Sequence, residues 1–102
     1  LVIGCGMIGI GAIIRSVLRG AEVIAADIDD TKLSLAKELG VKHTINTKTE
    51  DIHQKLQSIT QNQGPDVIIE AVGSPYTYQT AINEAAFTSR IVCRICEKRY
   101  RV

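Results

Sequence analysis

The stretch Leu1-Val2-Ile3-Gly4-Cys5-Gly6-Met7-Ile8-Gly9-Ile10-Gly11 decides the fold. Three apolar residues form a strand stub that stops at Gly4. From Met7 to about Arg19 an almost wholly apolar run reads as a helix, with Gly20 just past its end as a stop. Between them lies Gly4-x-Gly6-x-x-Gly9. A G-x-G-x-x-G turn alone is a weak signal, because glycine-rich turns are common. Here it follows a strand, opens a helix, and precedes a second strand, Glu22–Asp27, whose terminal acid falls 18 residues after Gly9. That context makes it a dinucleotide-binding fingerprint.

Further along the chain, short β-branched runs alternate with helical ones. Asp29 or Asp30 caps a helix over Thr31–Leu39, with Leu33, Leu35, Ala36 and Leu39 as the buried stripe and Gly40 as its stop. His43–Asn46 is a short third strand. Thr49 caps a helix over Asp51–Thr60, with Ile52, Leu56 and Ile59 on one face. After the Gly64-Pro65 turn, Asp66–Val72 is apolar enough for a strand buried on both faces. Ser74-Pro75 opens a helix to about Ala86, and Arg90–Cys93 is the fifth strand. Strict alternation predicts an α/β fold, a doubly wound, Rossmann-like parallel sheet in the order 3-2-1-4-5. Ligands of such sheets bind beyond the carboxyl ends of the strands, beside strand 1, where Gly4–Gly9 sits.

Each residue of the turn has a mechanical reason. Gly4 permits the sharp exit from the strand, Gly6 lets a pyrophosphate approach the backbone, and Gly9 lets helix and sheet pack closely. The free N–H groups around Met7, Ile8 and Gly9 face the phosphates at the positive end of the helix. Asp27 accepts hydrogen bonds from the adenosine ribose hydroxyls and repels a 2′-phosphate. Ile28, not an Arg, follows it, so the expected cofactor is NAD rather than NADP. Lys32, a cation in the first turn of a helix, is either a partner for the ribose or Asp27 or a solvated surface side chain. Val72-Gly73-Ser74 is either the crevice wall near the adenine or adjacent ribose, or an ordinary strand-to-helix turn.

The 102 residues suit one domain, and 45% hydrophobic content at a net charge of +1 argues against disorder and against a strongly basic nucleic-acid binder. The charge is uneven: residues 1–93 carry net −2, and the basic tail 94–102 carries net +3. Three cysteines are too few, and odd in number, for a secreted disulfide framework. No apolar run is long enough for a membrane span, so a soluble cytoplasmic protein is expected. Opening on Leu inside an apolar run, the chain reads as a piece of something longer. Cys93-x-x-Cys96 lacks a second ligand pair for zinc. His43 and His53 read as surface or satisfied histidines, Cys5 as a small, partly buried residue, and Glu70 as a hydrogen-bonded acid in a buried strand.

Together, "LVIGCGMIGIGAI", "VIAADIDDTKLSLAKELG", "HTIN" and "GPDVIIEAVGSP" leading to "RIVC" give the run from Leu1 to Cys93 a resemblance to a known unit. It resembles the cofactor-binding domain of medium-chain, zinc-dependent alcohol and polyol dehydrogenases, on the sorbitol, threonine and sugar-acid side. The resemblance implies that Gly4, Gly6 and Gly9 form the pyrophosphate turn and that Met7 and Ile8 contact the phosphates. It further implies that Asp27 selects NAD with Lys32 near the same ribose, that Ile28 lies against the adenine, and that Val72 and Gly73 line the crevice. It implies zinc, an alcohol substrate and a homo-oligomer for the full-length form. The family's zinc-ligating Cys, its Gly-His-Glu motif and its sixth strand are absent from these residues, and the tail 94–102 departs from its pattern.

The expected function is therefore the NAD-binding part of a dehydrogenase acting on a secondary alcohol, with this chain alone inactive. A non-catalytic NAD(H)-sensing regulatory module shares the glycine turn and ribose acid and is the alternative. A methyltransferase usually has an acid just before the first Gly, where this chain has Ile3.

Overall fold

The computed structural model describes residues 1–85 and 89–93. The expectations for the tail 94–102, and with it for the Cys96 half of the Cys93-x-x-Cys96 motif, lie outside the described residues. The elements run β1 (Val2–Ile3), α1 (Met7–Leu18), β2 (Ile24–Asp27), α2 (Asp30–Glu38), β3 (His43–Asn46), α3 (Ile52–Ile59), β4 (Val67–Glu70), α4 (Pro75–Glu84) and β5 (Arg90–Cys93). All pairings are parallel and the sheet order is β3-β2-β1-β4-β5, as the alternating pattern predicts.

Two layers of helices cover the sheet. On one face Val2, Ala25 and Ile69 pack with Ile13 and Val17 of α1 and Leu33 and Ala36 of α2. On the other, Ile24, Ala26 and Ile45 pack with Leu56 of α3, and Ile3 and Ile68 pack with Ala81 of α4. The period-two alternation along each strand sends successive side chains to opposite faces, so both layers draw on the same short strands. Crossovers leave β1 for one face and β4 for the other, which opens a crevice at the carboxyl ends of these two neighbours.

Three local expectations are corrected. Asp51, not Thr49, caps α3: its carboxylate accepts from the Gln54 N–H at 3.1 Å. Thr49 belongs instead to a turn built on Asn46, whose backbone O accepts from the N–H groups of Thr49 and Glu50 and whose Oδ1 accepts from Lys48. Leu35 lies on the exposed side of α2, leaving Leu33 and Ala36 as its buried residues. β4 is not buried on both faces, because Val67 is exposed beside a cavity of about 620 Å³ at the amino ends of the strands. Asp29 caps α2 through the Thr31 N–H, and Ser74 with Thr77 forms a capping box at α4, with Pro75 in the first turn.

Both histidines find carboxylates distant in sequence. His43 Nε2 lies 3.2 Å from Glu22, and His53 Nδ1 lies 2.9 Å from the nearly buried Glu84, tying α3 to α4. The hydrogen bond and charge of Glu84 raise the His53 pKa above its ordinary 6.5. A raised folded-state pKa stabilises the fold fully below the unfolded value, and the contribution fades as pH climbs through the raised one. Thermal melts of wild type and His53→Gln between about pH 5 and 9 should show the largest Tm gap below pH 6.5 and a vanishing gap at the alkaline end.

Candidate functional site

β1 ends where Gly4 turns the chain with φ +96°, its N–H still donating to Ala26 O at 2.8 Å. A Cβ at Gly4 would sit 2.6 Å from Val72 Cγ2, and one at Gly9 would sit 1.7 Å from the Gly4 carbonyl oxygen. Two different constraints therefore require glycine, one of backbone conformation and one of bare contact. Gly6 is a third case: its φ of −75° suits any residue, and nothing lies within 4 Å of where its Cβ would be. Space is left open above Gly6.

That space faces the start of α1. Gly6 is the N-cap and offers no side-chain acceptor, and no acidic residue stands in the first turn. The opening N–H groups of a helix have no partner within it, and here none is supplied by a cap. Together they present several donors and the positive end of a 12-residue helix to one spot, which suits an anion. Met7, 93% exposed, and Ile8 place their side chains outward, so their contribution to that spot is backbone.

Across β1, Asp27 ends β2. Its Oδ2 accepts from the Cys5 N–H at 2.7 Å and its Oδ1 from the Asp29 N–H at 2.9 Å. Each oxygen of a carboxylate can accept about two hydrogen bonds, so both retain capacity for a second donor. The carboxylate is thus oriented by the backbone and still available to a diol. Cys5 itself is buried. Burial, then the Asp27 charge, pushes its thiol up to about 11, which keeps it protonated and unreactive at neutral pH.

On the β4 side, Gly73 turns the chain at φ +81° and Val72 lies exposed against Gly4. Ile28 is exposed beyond Asp27, and Lys32 stands exposed on α2. Asp27 takes its hydrogen bonds from backbone N–H groups rather than from Lys32, whose charge instead acts on the Cys5 thiol. Gly4, Gly6, Met7, Ile8, Gly9, Asp27, Val72 and Gly73 are brought to one end of the sheet, and Ile28 and Lys32 flank it. The cavity of about 620 Å³ lies elsewhere, lined by Leu1, Glu22, Pro65 and Asp66 at the opposite strand ends, and it gathers none of these residues. Glu70 is the buried, hydrogen-bonded acid that the sequence predicts. Its particular partners in the β4 turn, and the part played by the Cys5 N–H, are missed in the sequence. A backbone donor carries no residue-type signal, and an acid in an apolar strand shows no partner until the turn folds over it.

Catalytic zinc needs about three protein ligands. Among the described residues no group of three or more His, Cys, Asp or Glu side chains is placed to hold a metal ion, so these residues do not fit one.

A family model described as zinc-binding dehydrogenase matches residues 8–93. The chain belongs to this zinc-binding dehydrogenase family. It is 34% identical over 91 residues to a zinc-type alcohol dehydrogenase-like protein of Haemophilus influenzae, covering 89% of this chain and 27% of that protein. It is 35% identical over 92 residues to an L-threonine 3-dehydrogenase of Symbiobacterium thermophilum, covering 89% of this chain and 26% of the relative. Among solved structures, benzyl alcohol dehydrogenase from Acinetobacter calcoaceticus superposes with a TM-score of 0.90 at 29% identity, over 99% of this chain and 28% of that one. The chain thus spans about a quarter of the length of these curated relatives.

For this member of the zinc-binding dehydrogenase family Gly6 and Gly9 should behave unequally. Gly9→Ala should destabilise by about 3 kcal/mol, the upper end of overpacking costs. Gly6→Ala should cost no more than about 1 kcal/mol, the loss of a favourable N-cap residue with no clash. Urea denaturation followed by circular dichroism measures both.

Proposed function

We propose that residues 1–93 bind NAD and form the cofactor-binding part of a zinc-dependent dehydrogenase that oxidises a secondary alcohol. The observation that carries this reading is Asp27, a carboxylate held by the N–H of the very turn that offers donors to a diphosphate. Gly4, Gly6 and Gly9 shape that turn, and the N–H groups of Met7, Ile8 and Gly9 bind the diphosphate. Asp27 takes the adenosine ribose hydroxyls through the free acceptor capacity of its two oxygens. Lys32 lies near the same ribose, Ile28 packs against the adenine, and Val72 and Gly73 line the crevice. A bound nicotinamide would supply a hydride acceptor. This chain's residues bind and orient, and none of them exchanges a proton with a substrate.

NAD is favoured over NADP because a 2′-phosphate would meet the Asp27 charge, with Ile28 where an Arg would be needed. Zinc and the alcohol belong to the whole enzyme, which we place in the cytoplasm as a homo-oligomer, and no step here depends on the tail 94–102. No helix among the described residues is long and apolar enough to cross a membrane. The matched family and the relatives named above are dehydrogenases or dehydrogenase-like, and nothing among these observations supports the sensing-module alternative.

Titration of the chain with NADH, followed by fluorescence or calorimetry, should show binding, with NADPH at least about tenfold weaker. Asp27→Ala should weaken NADH by about tenfold or more, since it removes charge-assisted hydrogen bonds of about 1.5–3 kcal/mol each. Equal affinity for the two coenzymes, or none for NADH, would overturn the reading. An alcohol dehydrogenase assay on the same chain is expected to show no turnover.

A further inference from the structure

Glu70 ends β4 at 1% exposure, and a carboxylate is buried at a cost unless donors surround it. Its donors are arranged asymmetrically. Oε1 accepts from the N–H of Val72 at 2.7 Å, the N–H of Gly73 at 2.8 Å and the Thr77 hydroxyl at 2.9 Å. Oε2, equally buried, has no partner among the described residues. All three donors belong to one short segment, the turn out of β4 and the first turn of α4. The negative charge also sits at the favourable, positive end of that helix.

The segment so gripped borders the glycine turn. Val72 Cγ2 lies against Gly4, 2.6 Å from the place a Cβ there would take, and Gly73 holds φ +81° between Val72 and the capped start of α4. A line of contacts therefore runs from the Glu70 carboxylate through Val72 to the mouth of the crevice. A half-satisfied buried acid adds little to a fold that an apolar side chain could complete, and its three bonds all serve the shape of this turn.

We propose that Glu70 is a positioning residue for the coenzyme: its carboxylate holds the Val72–Gly73 turn against Gly4 and so fixes the β4 wall of the crevice. It acts through Val72 and touches no coenzyme itself. The proposal rests on the reading of the crevice as a dinucleotide site.

The test uses the 102-residue chain, with NADH titration and amide hydrogen exchange on wild type, Glu70→Ala and Glu70→Gln. Glu70→Ala should weaken NADH binding by about tenfold or more, the loss of hydrogen bonds to a charged group. It should speed exchange at Val72 and Gly73 by a comparable factor. Ile69 and Ala71, whose N–H groups donate to the carbonyls of Leu1 and of Ile3 in β1, should keep their protection. Glu70→Gln keeps an oxygen in the place of Oε1 and should bind NADH within about threefold of wild type. Unchanged affinity in Glu70→Ala, or a folded Glu70→Gln as weak as Glu70→Ala, overturns the proposal. If Glu70→Ala loses protection at Ile69 and Ala71 as well, the sheet itself has opened and the Gln variant alone decides. Failure of wild type to bind NADH defeats the dinucleotide reading first, and this proposal with it.

Discussion

The contact between α1 and the Gly4 carbonyl governs the molecule. With no side chain at Gly9, the helix closes onto the end of β1 to a distance that even a methyl group would forbid. From that approach follow the direction of α1 and the aim of its first N–H groups. The packing of Ile13 and Val17 over Val2 and Ala25 follows as well. It also leaves Gly6 at the crest of the turn, with empty space above it. Packing and recognition share one cause here. The same glycines that let a helix lie close to a sheet leave backbone donors uncovered for a ligand.

Elements whose pattern is local were readable from the residues. β3 and β5 fall at His43–Asn46 and Arg90–Cys93, and α1 opens at Met7, because strand and helix periods differ and glycine or a capping residue marks the changeover. The failures are tertiary. Thr49 has the chemistry of a cap, but Asn46 draws that stretch into its own turn and leaves the capping to Asp51. Val67 has the composition of a buried strand residue, yet it lies at the open end of the sheet. Composition reports what a position tolerates, and coverage depends on which helix ends overhead.

The site divides in the same way. The spacing of Gly4, Gly6, Gly9 and Asp27 was legible because Gly4 and Gly9 answer to stereochemistry and Asp27 to charge, while Gly6 completes the G-x-G-x-x-G pattern. The grip of Asp27 on the Cys5 N–H and that of Glu70 on the Val72 and Gly73 N–H groups were not. In both, a side chain answers a backbone group, and backbone groups are alike at every position. His53 and Glu84, 31 residues apart, meet only because α3 and α4 lie on the same face of the sheet.

The hydrogen bond between Asp27 and the turn that carries Cys5 has an energetic corollary. On the proposed reading, a group that grasps a sugar while bracing the loop beneath a diphosphate would not act on one half of a ligand alone. Free energies assigned to the two halves by separate substitutions should then sum to more than the whole, since each removal also loosens its neighbour. Affinity in this crevice belongs to a connected frame, and dividing it among contacts would count some of them twice.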